Sequence, residues 1–335
     1  MKNSRWVILL LLLSACGSET DIKPPKVEIV KPTVLEPIVL QKTPLFDAEQ
    51  AYQFIQKQVD FGPRVPNTKT HKQCAKYLAK TLADFGLDTI VQRTIVTAFN
   101  GKPLSIQNII GQYNSEAINR ILLCAHWDSR PFADRDTKKQ AMPIEAANDG
   151  GSGAGVLLEI ARTISQSDLP PNIGFDIIFF DAEDYGQPNS IMTAPKQNTW
   201  CLGAQYWAKN KHRMGYSAKY GVLLDMVGAT DAVFPKDGVS MAYAAQYVNQ
   251  MWRVAKEMGY SNYFVDRRMQ GQITDDHLYV NAIAGIPCLD VIHYDIDRSD
   301  FGSFHHTHKD NMDIIDKKTL TAVGETVLQM IYQEN

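Results

Sequence analysis

Cysteine is scarce in this chain: five residues in 335, none of them in a Cys-x-x-Cys spacing. Cys124 and Cys288 fall inside apolar runs and read as buried free thiols, although an oxidising compartment would permit disulfides among Cys74, Cys124, Cys201 and Cys288. Excess charge is lacking too. The formal net charge is −3, and no basic stripe with interleaved aromatics occurs, so nucleic acid is not an expected partner. The apolar run Trp6 to Leu13 is too short for a permanent membrane helix. No linker or internal repeat interrupts the chain after Phe46, and one large domain is expected. Two catalytic fingerprints are missing as well. The glycines of residues 151–155 do not match the dinucleotide-binding spacing, and Ser152 lacks the flanking glycines and preceding strand of a nucleophile elbow.

What is present begins at the N-terminus. Lys2 and Arg5 precede Trp6 to Leu13, and Leu13-Ser14-Ala15-Cys16 follows, which looks like a bacterial lipoprotein signal (residues 1–15) ending in a lipid-modified Cys16. The mature protein is then expected at the bacterial cell envelope, anchored to a membrane by lipid and facing the periplasm or exterior. More than one acyl chain is needed for stable attachment. Pro24, Pro25, Pro32, Pro37 and Pro44 punctuate residues 16–45 and favour an extended tether. The catalytic domain is expected over residues 46–335.

Within that domain, helical and strand patterns alternate. Helical spacing covers Asp47 to Val59 and His71 to Phe85, the second with an N-cap at Asn67 or Thr68. Strands are expected at Thr89 to Val96, Gln107 to Tyr113, Arg120 to Ala125, Ile173 to Phe180, Tyr220 to Met226 and Pro287 to Ile292. Further helices are expected at Gly155 to Ser165, Leu202 to Lys209, Met241 to Met258 and Lys317 to Tyr332. The alternation predicts an α/β fold: a central mixed, mostly parallel sheet with helices on both faces.

Chemistry concentrates where apolar strands end. The run Phe175 to Phe180 leads straight into Asp181, Glu183 and Asp184, and ionised carboxylates at the end of a buried strand need a metal or a proton-transfer task. Arg120 to Ala125 delivers His126 and Asp128 at its carboxyl end, the edge at which open α/β sheets bind ligands. Asp149 precedes a glycine-rich turn, Asp225 follows another strand, and His305, His306 and His308 cluster near the end of the chain. This mixed nitrogen and oxygen donor set suits Zn²⁺.

On these residues the sequence resembles the zinc-dependent aminopeptidases of the bacterial leucyl aminopeptidase type and, within that superfamily, the glutaminyl-peptide cyclotransferases (glutaminyl cyclases). The motifs are His126-Trp127-Asp128, Asp149 before its glycines, Glu183-Asp184, Asp225, Asp275-Asp276-His277 and His306. The resemblance implies one zinc per chain held by Asp149, Asp184 and His306, with an open fourth position. It implies peptides and proteins with N-terminal glutamine as substrates, their α-amine closing on the side-chain carbonyl and expelling ammonia. Glu183 is the implied general base and acid, while Asp225 and Asp275 form an acidic hydrogen-bonded network with it.

Two departures stand out. Asp184 replaces the glutamate of animal cyclases, and His305 replaces a tryptophan beside the zinc histidine. His308 is the alternative to His306 as ligand, and His277, His293 and His212 read as satisfied or exposed histidines. Tyr185, Trp200 and Trp207 are candidate pocket aromatics, with core packing as the alternative for each. A dinuclear aminopeptidase is the competing reading: there His126 and Asp225 would bind a second zinc bridged by Asp149. In the cyclase reading His126 only surrounds the first. A catalytically dead binding lipoprotein is the third reading, opposed by the intact Glu183.

Overall fold

Alternate residues of each central strand belong to different cores, which is why these strands read as largely apolar runs, interrupted by buried Asp176 and Asp290. Ile121, Leu123 and Ala125 join one hydrophobic cluster, while Leu122 and Cys124 join another across the sheet. Side chains two apart share a face, so a sheet covered on both sides favours apolar residues at successive positions. The computed structural model describes residues 37–167, 173–188, 194–269 and 271–334. The lipoprotein signal, Cys16 and most of the expected tether lie outside the described residues.

The sheet contains β1 (Asp88–Thr97), β2 (Pro103–Tyr113), β3 (Asn119–His126), β4 (Ile173–Phe180), β5 (Gly221–Asp225) and β8 (Cys288–Ile292), in the order β1-β2-β4-β3-β5-β8. β1 pairs antiparallel with β2, and β2 antiparallel with β4; β4, β3, β5 and β8 run parallel. The mixed, mostly parallel architecture is thus as expected. One face is covered by α1 (Ala48–Val59), α2 (Lys69–Asp84), α3 (Gly151–Ser165), α6 (Ala245–Glu257) and α8 (Lys317–Tyr332). The other carries α4 (Leu202–Lys209) and the short α7 (Asp276–Tyr279). The chain leaves β3 on one side for β4 and returns past it for β5. Such a reversal opens a crevice beyond the carboxyl ends of the strands.

Several elements differ from expectation. Thr68, not Asn67, caps α2, its hydroxyl accepting from the His71 N–H. The helix expected over Met241 to Met258 is two helices, α5 (Gly238–Tyr243) and α6. The break is at Ala244, whose φ of −131° and ψ of 24° lie outside helical geometry. α3 begins four residues before Gly155, because Gly150 at φ 70° lets the chain enter the helix directly after Asp149. β6 (Phe234–Lys236) and β7 (Phe264–Arg268) form a small parallel pair that the sequence hid, since neither alternates apolar with polar residues. Finally, Ile38 packs against the main core and Phe46 is buried, so the folded body begins inside the stretch expected to be tether.

Candidate metal centre and acid network

Three loops and two strand ends bring the acidic residues and histidines together. β3 ends at His126, β5 ends at Asp225, and Glu183-Asp184 follow β4 by a turn in which Ala182 takes φ 53°. Asp149 precedes α3, and His306 sits on the loop before α8 at φ 56°. Asp128 holds the acidic turn in place, accepting from the Glu183 N–H at 3.0 Å and the Asp184 N–H at 3.4 Å. Asp310 ties the histidine loop to the start of α3 by accepting from the Asn148 and Asp149 N–H groups at 2.7 and 3.0 Å.

His306 Nε2 lies 3.2 Å from Asp184 Oδ1 and 3.7 Å from Asp149 Oδ2. Its other ring nitrogen faces Asp134 Oδ1 at 3.5 Å, which turns Nε2 toward the two carboxylates. Asp149 Oδ2 and Asp184 Oδ2 are buried and have no hydrogen-bond partner. Unpaired buried carboxylate oxygens are costly, and a divalent cation beside an imidazole nitrogen would satisfy both. The donor set therefore fits zinc. Arg130 braces it from behind, donating to Asp184 Oδ1 at 3.1 Å and to Asp134 Oδ1 at 2.6 Å. His308 is elsewhere: its Nδ1 is 2.8 Å from Asp136 on the surface, whereas His306 faces both Asp149 and Asp184, and His305 brings a donor atom within 4.8 Å of Asp149 and His306.

A second donor group adjoins the first. His126 Nε2 stands 3.1 Å from both Asp149 Oδ1 and Asp225 Oδ1. Burial alone would lower the His126 pKa, but Asp128, Asp149 and Asp225 together raise it well above the usual imidazole value. Burial pushes Asp225 up to about 7 against the pull of His126.

Glu183 is buried beside these groups. Burial holds its pKa well above the usual carboxylate range; His126 pulls it down, and Asp275, Asp184 and Asp276 push it further up. One ligand atom each from Glu183, Cys201 and Asp275 lies within 4.8 Å of the others. Asp275 caps α7 by accepting from the Asp276 N–H at 2.5 Å, and burial raises its pKa as well. Carboxylates packed this closely share protons instead of all ionising.

The centre opens into a cleft of about 920 Å³ that Asp149, Glu183, Asp225, Asp275 and His306 line on one side. Met226, Met269, Ile273, Ile292 and Phe301 supply its apolar side. Trp200 lines it too, its ring stacked on His306 at 5.8 Å between centroids, with Arg130 over it at 4.6 Å. His305 lines the mouth and accepts from Arg135 Nη1 at 2.6 Å.

Trp207 is a correction: it is wholly buried in the core beneath the sheet, against Phe180 and Tyr216, away from the cleft. Tyr185 likewise packs in a core cluster with Val65 and Leu104. His293 and His212 are satisfied, accepting from the Val233 N–H and from Trp207 Nε1. His277 is not, being wholly buried with neither ring nitrogen hydrogen-bonded. Sequence reasoning missed the bracing roles of Arg130, Asp134 and Asp310, although each lies within a few residues of a quoted motif.

The model of peptidase family M28 matches residues 108–331. A crystal structure of a glutaminyl cyclase from Bacteroides thetaiotaomicron bound to N-acetylhistamine is 49% identical, covering 88% of this chain and 100% of that one, with a TM-score of 0.85. A zinc-dependent exopeptidase from Parabacteroides distasonis is also 49% identical, covering 88% and 100% of the two chains, with a TM-score of 0.84. The glutaminyl-peptide cyclotransferase of Bothrops jararaca is 26% identical over 255 residues, and the match spans 69% of this chain and 66% of that protein.

Proposed function

We infer that this chain, which belongs to peptidase family M28, is a zinc-dependent glutaminyl-peptide cyclotransferase that converts N-terminal glutamine of peptides and proteins to pyroglutamate. The observation that carries the reading is the placement of a buried Glu183, its pKa raised by burial, next to Asp184 in the turn that supplies the group formed by Asp149, Asp184 and His306. Likeness to a solved bacterial glutaminyl cyclase over 88% of the chain supports it.

Asp149, Asp184 and His306 would hold a single zinc ion. When bound, zinc supplies Lewis-acid polarisation of the substrate's side-chain amide carbonyl. The chain's own groups manage the protons. A peptide α-amine has a pKa of about 7.7 to 8.0, so near neutrality most of it must lose a proton before it can attack. Glu183, with its raised pKa, is matched to that task. It takes one proton from the amine as the new C–N bond forms and returns one to the departing side-chain nitrogen, so ammonia leaves and no water is consumed. Asp225 and Asp275 share protons with Glu183 and hold it in the form each step requires. Trp200 and the apolar side of the cleft exclude water around the reacting amide.

A glutaminyl dipeptide incubated with the purified protein tests this. Ammonia with no free amino acid is expected, and release of the amino acid would instead establish a peptidase. That second reading has one observation in its favour: His126, Asp149 and Asp225 form a donor group able to take another ion. Metal analysis of active protein separates the two, with about one zinc per chain expected for the cyclase.

We also propose that Cys16 carries lipid and that the folded body faces the exterior of the membrane to which it is anchored. Cys16→Ser should abolish acyl labelling while cyclisation persists. Acylation that survives the change would remove the anchor.

A further inference from the structure

Behind the cleft lies a line of three wholly buried side chains that the proposed chemistry leaves unused. His277 Nε2 is 3.5 Å from Asp237 Oδ2, and His277 Nδ1 is 3.6 Å from Asp290 Oδ2; all three residues are 0% exposed. Neither ring nitrogen of His277 and neither carboxylate oxygen of Asp290 has a hydrogen-bond partner. Leaving such groups unpaired in the interior is costly. The two nitrogens face different carboxylates, and one donor atom each from Asp237, His277 and Asp290 lies within 4.8 Å of the others.

The line joins three elements. Asp237 caps α5, accepting from the Val239 and Ser240 N–H groups at 2.7 and 3.0 Å. Asp290 lies in β8, where its N–H donates to Ser240 Oγ at 2.9 Å. His277 stands on α7 two residues after Asp275, the acid that approaches Glu183.

We propose that His277, caged between Asp237 and Asp290, is a positioning residue that aims α7 so that Asp275 stays within reach of Glu183. For cyclisation this rests on the function proposed above.

The charge pattern agrees with the geometry. Burial would raise Asp237, yet His277 and the α5 N–H groups hold it below its usual value. Asp290 is pushed well above its usual value by burial, with Asp275, Asp237 and Asp225 adding to the effect. The turn that carries His277 has a second tie to the sheet. Asn281 stitches it to β8 by donating to the His277 and Cys288 carbonyls and accepting from the Cys288 N–H.

The test compares His277→Leu, His277→Asn and Asp290→Asn with the unaltered protein, measuring zinc content, kcat and KM. Turnover is read as both ammonia and free amino acid, so the unaltered protein decides the reaction and the ratio of variant to unaltered decides the role of His277. For His277→Leu we expect kcat to fall about tenfold or more while KM stays within about twofold and zinc is retained. His277→Asn, whose amide nitrogen can still face Asp290, should recover part of that loss. Unchanged kcat in His277→Leu overturns the proposal, as does a loss confined to KM or zinc, or an equal loss in His277→Asn. If His277→Leu fails to fold, the near-isosteric Asp290→Asn decides: a several-fold fall in kcat alone is expected, and no change refutes the role.

Discussion

Cys201 Sγ donates to Glu183 Oε1 at 3.2 Å, and the Cys201 N–H donates to the Glu183 carbonyl at 2.9 Å, so one residue holds the assigned base at both its backbone and its carboxylate. The thiol is no independent nucleophile here. Burial first, and then the neighbouring Glu183, Asp276 and Asp275, push its pKa well above the usual thiol value.

Cys201→Ala should therefore slow the reaction without touching the metal. A hydrogen bond to a carboxylate favours its charged form, so losing the thiol raises the Glu183 pKa further and moves the rising limb of the pH–rate profile upward. We expect kcat to fall by about two- to tenfold at neutral pH, with Cys201→Ser closer to the parent. A profile identical to the parent's would show that the thiol contributes packing alone.

Glu183 and Asp184 are neighbours with different expected tasks. Glu183→Gln should keep zinc while turnover drops by roughly two to four orders of magnitude. Asp184→Asn should lose zinc more readily, since an amide is a poorer and uncharged ligand, and excess zinc should restore part of its activity. Zinc lost from the first variant and kept by the second would reverse the two assignments.

Metal-free protein should lose stability as pH rises. Burial raises Asp225 and Asp310 from 3.8 to about 7, and carboxylate neighbours outweigh burial to raise His306 from 6.5 to about 9. A group whose folded pKa is raised gives stability that is complete below its unfolded pKa and disappears as pH passes the folded value. The window accordingly runs from about pH 4 to 9. Zinc prefers the ionised carboxylates and neutral imidazole, so its stabilising effect should grow over the same range. Melting curves with and without a chelator at the two ends of the window check both signs; a metal-free protein that becomes more stable toward alkaline pH contradicts the assignment.

Gly150→Ala should damage the site from outside it. Gly150 adopts φ 70°, and a Cβ there would stand 2.6 Å from the His126 ring and 2.8 Å from its carbonyl oxygen. Relieving that clash displaces His126 or the adjoining Asp149. A loss of about 1–3 kcal/mol in stability is expected from strain and overpacking, together with weaker zinc retention by titration. Wild-type stability and metal affinity would mean that the turn yields freely.

The sequence by itself determined the layered α/β plan and the strand ends at which the acids stand. Apolar periodicity is local, so β4, α4 and α8 are readable to the residue, and the order of His126, Asp149, Glu183, Asp184 and Asp225 along the chain marks one sheet edge. Only the tertiary structure decided which side chains meet. His306 rather than His308 faces Asp149 and Asp184 because the loop passes through a left-handed residue at His306 itself, while Asp136 holds His308 at the surface. Trp207, on the helical stretch after Trp200, turns into the core because α4 packs its buried face on the sheet, whereas Trp200 precedes that helix and stacks on His306. Asp237, His277 and Asp290 are far enough apart in sequence that no periodic signal links them. Their meeting is a consequence of how α5, α7 and β8 pack, and packing is set by contacts between distant segments.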